Sequence, residues 1–170
     1  VELTITSNGS RVHEFIETFK EAGIKSVNIS LDTLNKDKFK PITRRDYFDK
    51  VYENIFLLIE NGFHVKVNVV VMRGVNDDEI NDFVALTKHH QVHVRFIEFM
   101  PFTGNQWNNT QVYSYKEIID KISTEYEMVK MKDEVHDTAK KFKPLMHEGT
   151  FAIISTMSAP FCSDCNRMRL

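Results

Sequence analysis

Short β-rich runs alternate with amphipathic helical stretches along this chain, and that alternation leaves few folds open. The clearest strand is Val65-Lys66-Val67-Asn68-Val69-Val70-Val71, in which valines alternate with polar residues before the run turns wholly apolar. Further strands are read at residues 1–6, 26–31, 92–99 and 151–154. A helix after the first strand carries Val12, Phe15, Ile16, Phe19 and Ala22 on one face and is closed by Gly23. A longer one over residues 47–61 carries Val51, Ile55, Leu58 and Ile59, with Gly62 as its stop. Asn76 and Glu79 read as N-cap and return contact for a helix with Ile80, Phe83 and Val84 inward. Ser114-x-x-Glu117 reads as a capping box before Ile118, Ile119 and Ile122. Residues 32–46 read as a long loop with a short helix, 101–112 as a polar loop, and 131–149 as a charged, weakly patterned stretch. Repeated βα units imply a mainly parallel sheet with right-handed crossovers. No G-x-G-x-x-G turn is present, which counts against a dinucleotide fold. The expected class is α/β, an incomplete (β/α) TIM-type barrel represented by its central and C-terminal βα units.

Composition narrows the function classes. A net charge of −2 gives no sign of nucleic-acid or anionic-membrane binding. No apolar run reaches the ~18 residues of a membrane helix. The two cysteines, Cys162 and Cys165, are too close together to staple a domain of this size, which favours a reducing, cytoplasmic setting and a metal or redox role. The chain opens on Val1, already strand-like, and reads as an internal piece of a longer protein.

In parallel barrels ligands sit at the carboxyl ends of the strands. That rule singles out Thr6, Ser7 and Asn8, then Ser30 and Asp32, Met72 and Arg73, Glu98 and Met100, and the chain from Ser155 onward, which leads to the cysteines. The Cys162/Cys165 pair reads as half a metal site, a redox dithiol or a chance pairing, with the redox reading weakened by its late position. The seven histidines are scattered, and His89, His90 and His93 come nearest to a second ligand pair. Arg167 and Arg169 read as an anion fork or a solvated basic turn. Lys66 and Asn68 share a strand face; they are the polar side of a half-exposed strand, or functional groups inside a covered sheet. Met100 is a core residue or a ligand contact, and Trp107 a lid or a surface anchor.

Five stretches taken together resemble a known family. They are Thr6-Ser7-Asn8-Gly9, Asn28-Ile29-Ser30-Leu31-Asp32-Thr33-Leu34, the run from Lys66 to Asn76, Arg95-Phe96-Ile97-Glu98-Phe99-Met100-Pro101, and Phe161-Cys162-Ser163-Asp164-Cys165-Asn166-Arg167-Met168-Arg169-Leu170. End to end, the chain is similar to the GTP 3′,8-cyclases, radical S-adenosylmethionine enzymes that open molybdenum cofactor biosynthesis. The resemblance implies two [4Fe–4S] clusters in the whole protein and S-adenosyl-L-methionine cleaved at the N-terminal one. The 5′-deoxyadenosyl radical then takes hydrogen from the ribose C3′ of GTP, and C3′ closes onto guanine C8.

By the same resemblance, Cys162 and Cys165 ligate the C-terminal cluster. Thr6, Lys66, Arg167, Met168 and Arg169 belong to the GTP site. Ser30 and Met100 touch S-adenosylmethionine, with Arg95 a further candidate for that pocket. Residues 1–155 then form a partial radical-SAM barrel and 156–170 begin the iron–sulfur segment. The resemblance also implies that the product passes to the cyclic pyranopterin monophosphate synthase; it allows a homodimer and calls for no nucleic acid or membrane. The N-terminal C-x₃-C-x₂-C loop, the glycine-rich cofactor segment and a third C-terminal cysteine are not in this sequence, so the chain alone is expected to be inactive. The rival readings are another radical enzyme with an auxiliary cluster and a non-enzymatic zinc-binding (β/α) module.

Overall fold

The computed structural model describes residues 3–100, 109–133 and 137–158. Within them the strands are β1 (Thr4–Ser7), β2 (Ser26–Ser30), β3 (His64–Val71), β4 (Val92–Glu98), β5 (Met128–Lys130), β6 (Lys140–Pro144) and β7 (Thr150–Ile154). The helices are α1 (Ile16–Glu21), α2 (Lys36–Thr43), α3 (Phe48–Glu60), α4 (Ile80–Leu86) and α5 (Tyr115–Ser123). One sheet takes the order β1-β2-β3-β4-β7-β6-β5. β1 through β4 and β7 run parallel, while β6 is antiparallel to both β7 and β5. Each parallel step from β1 to β4 is made through helices, the crossover such pairing requires.

The two periodicities of the sequence meet in one core. Val65, Val67, Val69 and Val71 point to the helices and are buried with Val27, Ile29, Val94 and Phe96, while α3 supplies Val51, Ile55 and Leu58 and α4 supplies Phe83. Each such side chain contributes about 1.5–3 kcal/mol on leaving water. The alternate residues of the same strands face the other way and are only half-buried.

Local signals explain most element ends. Ser114 accepts from the Glu117 N–H and Glu117 accepts from the Ser114 N–H, so the expected capping box opens α5. Gly62 ends α3 in the left-handed region at φ 81, where a side chain would be strained.

Three local expectations need correction. Asn76 does not cap α4. Its side chain accepts from the Met72 N–H and donates to the Asp32 and Val70 carbonyls, stapling the ends of β2 and β3. Glu79 turns away too, accepting from the Thr33 hydroxyl and the Leu34 N–H. Phe15 is 40% exposed rather than core, because residues 12–15 form a 3₁₀ turn before α1 and the helical phase slips. The stretch expected to be weakly patterned contains β6 and the turn into β7. Its Lys140-Lys141-Phe142-Lys143-Pro144 run hides a period-2 alternation behind lysines.

Gly149 fixes where that turn closes. A Cβ at this position would lie 2.2 Å from the Val92 carbonyl oxygen and 2.7 Å from that of His90. Both neighbours are backbone and cannot swing aside. Gly149→Ala is expected to destabilise the fold by about 3 kcal/mol, read as a lower urea midpoint; an unchanged midpoint would show that the turn is not held against β4.

Candidate functional site

Strand register brings polar side chains from five strands into line on the face away from the core. Thr6 pairs with Asn28, Asn28 with Lys66, Lys66 with His93 and His93 with Thr150. One row nearer the carboxyl ends, Ser30 pairs with Asn68, Asn68 with Arg95, and Arg95 with Ala152, beside which sits Lys141. Two residues along a strand advance about 6.6 Å, so the rows are stacked at that spacing.

Hydrogen bonds lock the rows together. The Arg95 guanidinium donates from Nε to Asn68 Oδ1 and from a terminal nitrogen to Asn28 Oδ1, both at 2.8 Å. Asn28 Nδ2 donates to Thr6 Oγ1 at 3.1 Å. The His93 Nδ1 and Thr150 Oγ1 lie 2.6 Å apart. Burial, then the charges of Arg95, Lys66 and Lys141, press the His93 pKa down to about 4, so the imidazole is neutral at pH 7. The face is therefore cationic and prepared for an anion. A cavity of about 400 Å³ opens at the amino ends of these strands, lined by Ser26, His64, Lys66, His93, Glu148 and Thr150.

The opposite rim is held by Glu98, the last residue of β4 and only 1% exposed. Its carboxylate accepts from the Tyr115 N–H at 2.6 Å, the Met157 N–H at 2.8 Å, the Ser158 N–H at 2.9 Å and the Ser158 hydroxyl. Its backbone carbonyl accepts from the Thr156 hydroxyl. Burial opposes ionisation of this carboxyl, but the donors from Ser158, Met157 and Tyr115 outweigh it and hold its pKa below the usual range. Nearby, burial raises the pKa of Asp32, whose Oδ1 accepts from the Val70 N–H.

Of the residues singled out from sequence, Thr6 and Lys66 share the lower row, and Ser30 and Arg95 the upper one. Met100 lies just beyond the end of β4 and is 55% exposed, which removes the core reading for it. Cys162, Cys165, Arg167, Met168, Arg169 and Trp107 lie outside the described residues. Among the described residues no three His, Cys, Asp or Glu side chains converge on a metal position. The sequence reading gave no role to Asn28, Thr150 or Lys141, and treated His93 only as a stray ligand. The signal was period-2 alternation, Asn28 between Val27 and Ile29 and His93 between Val92 and Val94, but partnership across strands needs the register.

Comparison with known proteins places the chain in a family. Residues 1–87 match the Radical SAM superfamily, and residues 92–170 match the family described as Molybdenum Cofactor Synthesis C. The mitochondrial GTP 3′,8-cyclase of Arabidopsis thaliana is 47% identical over 99% of this chain and 44% of its own length. Molybdenum cofactor biosynthesis protein 1 of Homo sapiens is 46% identical over 98% of this chain and 26% of its own. GTP 3′,8-cyclase of Clostridium botulinum is 40% identical, over 99% and 53% respectively. The chain thus spans between about a quarter and about half of these relatives. A radical SAM methyltransferase from Sphaerobacter thermophilus superposes with a TM-score of 0.56 at 19% identity, over 71% of this chain and 36% of that one. A domain of a pyruvate-formate lyase-activating enzyme from Bacteroides vulgatus gives 0.55 at 13% identity, over 73% and 76%. These two likenesses concern the fold, a partial (β/α) barrel.

Proposed function

Since this chain belongs to the Radical SAM superfamily, we propose that it serves, within the longer protein that contains it, the cyclisation of GTP to (8S)-3′,8-cyclo-7,8-dihydroguanosine 5′-triphosphate, the first step of molybdenum cofactor biosynthesis. The reading is supported by end-to-end similarity to proteins named for that activity. The observation that carries it is the cationic double row: Lys66 and Arg95 stand on strands whose other face is valine and phenylalanine up to Glu98. A triphosphate calls for charge-assisted donors from several strands, and the face offers them.

In this reading Thr6 and Lys66 receive the nucleotide together with Arg167, Met168 and Arg169. Ser30 and Arg95, one row nearer the rim, and Met100, beyond the end of β4, lie on the cofactor side. Cys162 and Cys165 are ligands of the C-terminal [4Fe–4S] cluster. The donor set fits soft iron, and Glu98 ties residues 156–158 to the rim that carries Ser30, so the chain enters its cysteine segment from that side. When bound, S-adenosylmethionine and the clusters supply the radical chemistry. The protein residues bind, orient and screen the nucleotide from water. The product passes to the cyclic pyranopterin monophosphate synthase. No helix among the described residues is long and apolar enough to cross a membrane. Thiolate ligands require a reducing compartment; the cytoplasm is one, and the name of the Arabidopsis relative points to another.

Lys66→Met in the full-length, reconstituted protein is expected to weaken GTP binding about thirtyfold, the worth of one charge-assisted hydrogen bond, and to leave S-adenosylmethionine binding unchanged. Equal GTP affinity in the two proteins, measured by calorimetry, would remove Lys66 from the site. Failure of the wild type to bind GTP would remove the reading itself.

A further inference from the structure

The lower row contains a group that the proposed reaction does not use. His93 stands beside Lys66 on the neighbouring strand, on the same face, with strands about 4.8 Å apart. It lines the cavity with Lys66 and Thr150, and Thr150 engages its Nδ1. An anion that meets Lys66 from this cavity therefore also meets the imidazole. We propose that His93 is a proton-coupled contact for the polyphosphate end of the nucleotide, taking a proton from solvent as the anion settles against Lys66, so that nucleotide binding strengthens as pH falls. This rests on the reading of GTP as substrate and adds to it a residue and a pH dependence.

The charges around His93 fix the direction. Lys66 comes from β3, Arg95 from β4 itself and Lys141 from β6. Lys141 is also paired with Asp137 at 2.9 Å. His64 on β3 and Glu148 on the turn before β7 line the same cavity. With no anion present, burial and the three cations oppose a further positive charge, and the imidazole titrates near 4. Phosphate oxygens beside Lys66 reverse the sign of the local field and remove the reason for that depression. A close opposite charge favours the protonated form, and more than one phosphate charge acts here, which lifts the bound imidazole back toward its ordinary range. The imidazolium then donates from Nε2 to phosphate, Nδ1–H remaining for Thr150. The balance is one proton from buffer to imidazole, with no other bond changed.

The test is calorimetry on the full-length, reconstituted protein, in buffers of different ionisation enthalpy, with GTP and with trimetaphosphate, an anion fully ionised across this range. At pH 6.5 the wild type is expected to take up about half a proton per bound anion, and to bind trimetaphosphate about fourfold more tightly at pH 6 than at pH 8. His93→Gln keeps a side-chain partner for Thr150 but cannot gain a proton; uptake and the pH dependence should both vanish. Equal uptake in wild type and His93→Gln overturns the proposal. If the variant does not fold, absence of uptake by the wild type with trimetaphosphate overturns it equally. Binding of trimetaphosphate with His93-dependent uptake, but no binding of GTP, keeps the proton-coupled anion contact and sinks the GTP assignment.

Discussion

Glu98→Ala is expected to cost the fold about 4 kcal/mol and to lower the melting temperature by about 10 °C. The carboxylate is buried and collects the Tyr115, Met157 and Ser158 N–H groups together with the Ser158 hydroxyl. Removing it orphans several donors at once, the costly case for buried polar groups. Glu98→Gln keeps acceptor capacity on one oxygen and should lose about half as much. The consequence extends past stability, because residues 156–158 lead to Cys162. In the full-length protein, iron content after anaerobic reconstitution should fall with Glu98→Ala even at temperatures where the fold survives. Wild-type stability and iron content in this variant would show that Glu98 does not anchor the segment.

Acid should weaken the protein well before its carboxylates protonate. His93 titrates near 4 when folded and near 6.5 when unfolded. The unfolded chain therefore binds the extra proton first as pH falls. The stability due to neutral burial is complete above about 6.5, declines through the interval, and is lost by about 4. Its size is about 3 kcal/mol, at 1.36 kcal/mol for each pH unit. Glu117 acts in a separate window. Its hydrogen bonds with Ser114 and Arg73 hold it at about 2, so its contribution is present above the ordinary carboxylate range and disappears as pH falls toward that value. Urea midpoints at pH 7.5, 6 and 3 sample both windows. A drop between the first two that persists in His93→Gln would assign the loss elsewhere.

How far the sequence could be read depended on whether the deciding contact was local. β3 was plain because its valines alternate within one segment, and the capping box of α5 because its partners lie three residues apart. Asn76 was misread because its side chain leaves its own helix for carbonyls of Asp32 and Val70. β6 was missed because its lysines suit an outer strand and mask the alternation of Phe142 and Pro144. The site divided in the same way. Lys66 stood out as a charge among valines, whereas His93 looked like one scattered histidine until register set it beside Lys66 and Thr150. Cys162 and Cys165 were legible as a pair from spacing alone.

The reversal of direction at β6 makes the turn after it a ruler for charge. Lys141 reaches the polar face because it pairs with Ala152, while Phe142 pairs with Phe151 toward the core. Since side chains alternate strictly, sliding β6 by one residue would bring Phe142 to the cationic rows and drive lysines into hydrocarbon. The backbone contact at Gly149 fixes where the ruler begins. Loop length between residues 145 and 149 thus decides whether the anion-facing wall carries that third positive group.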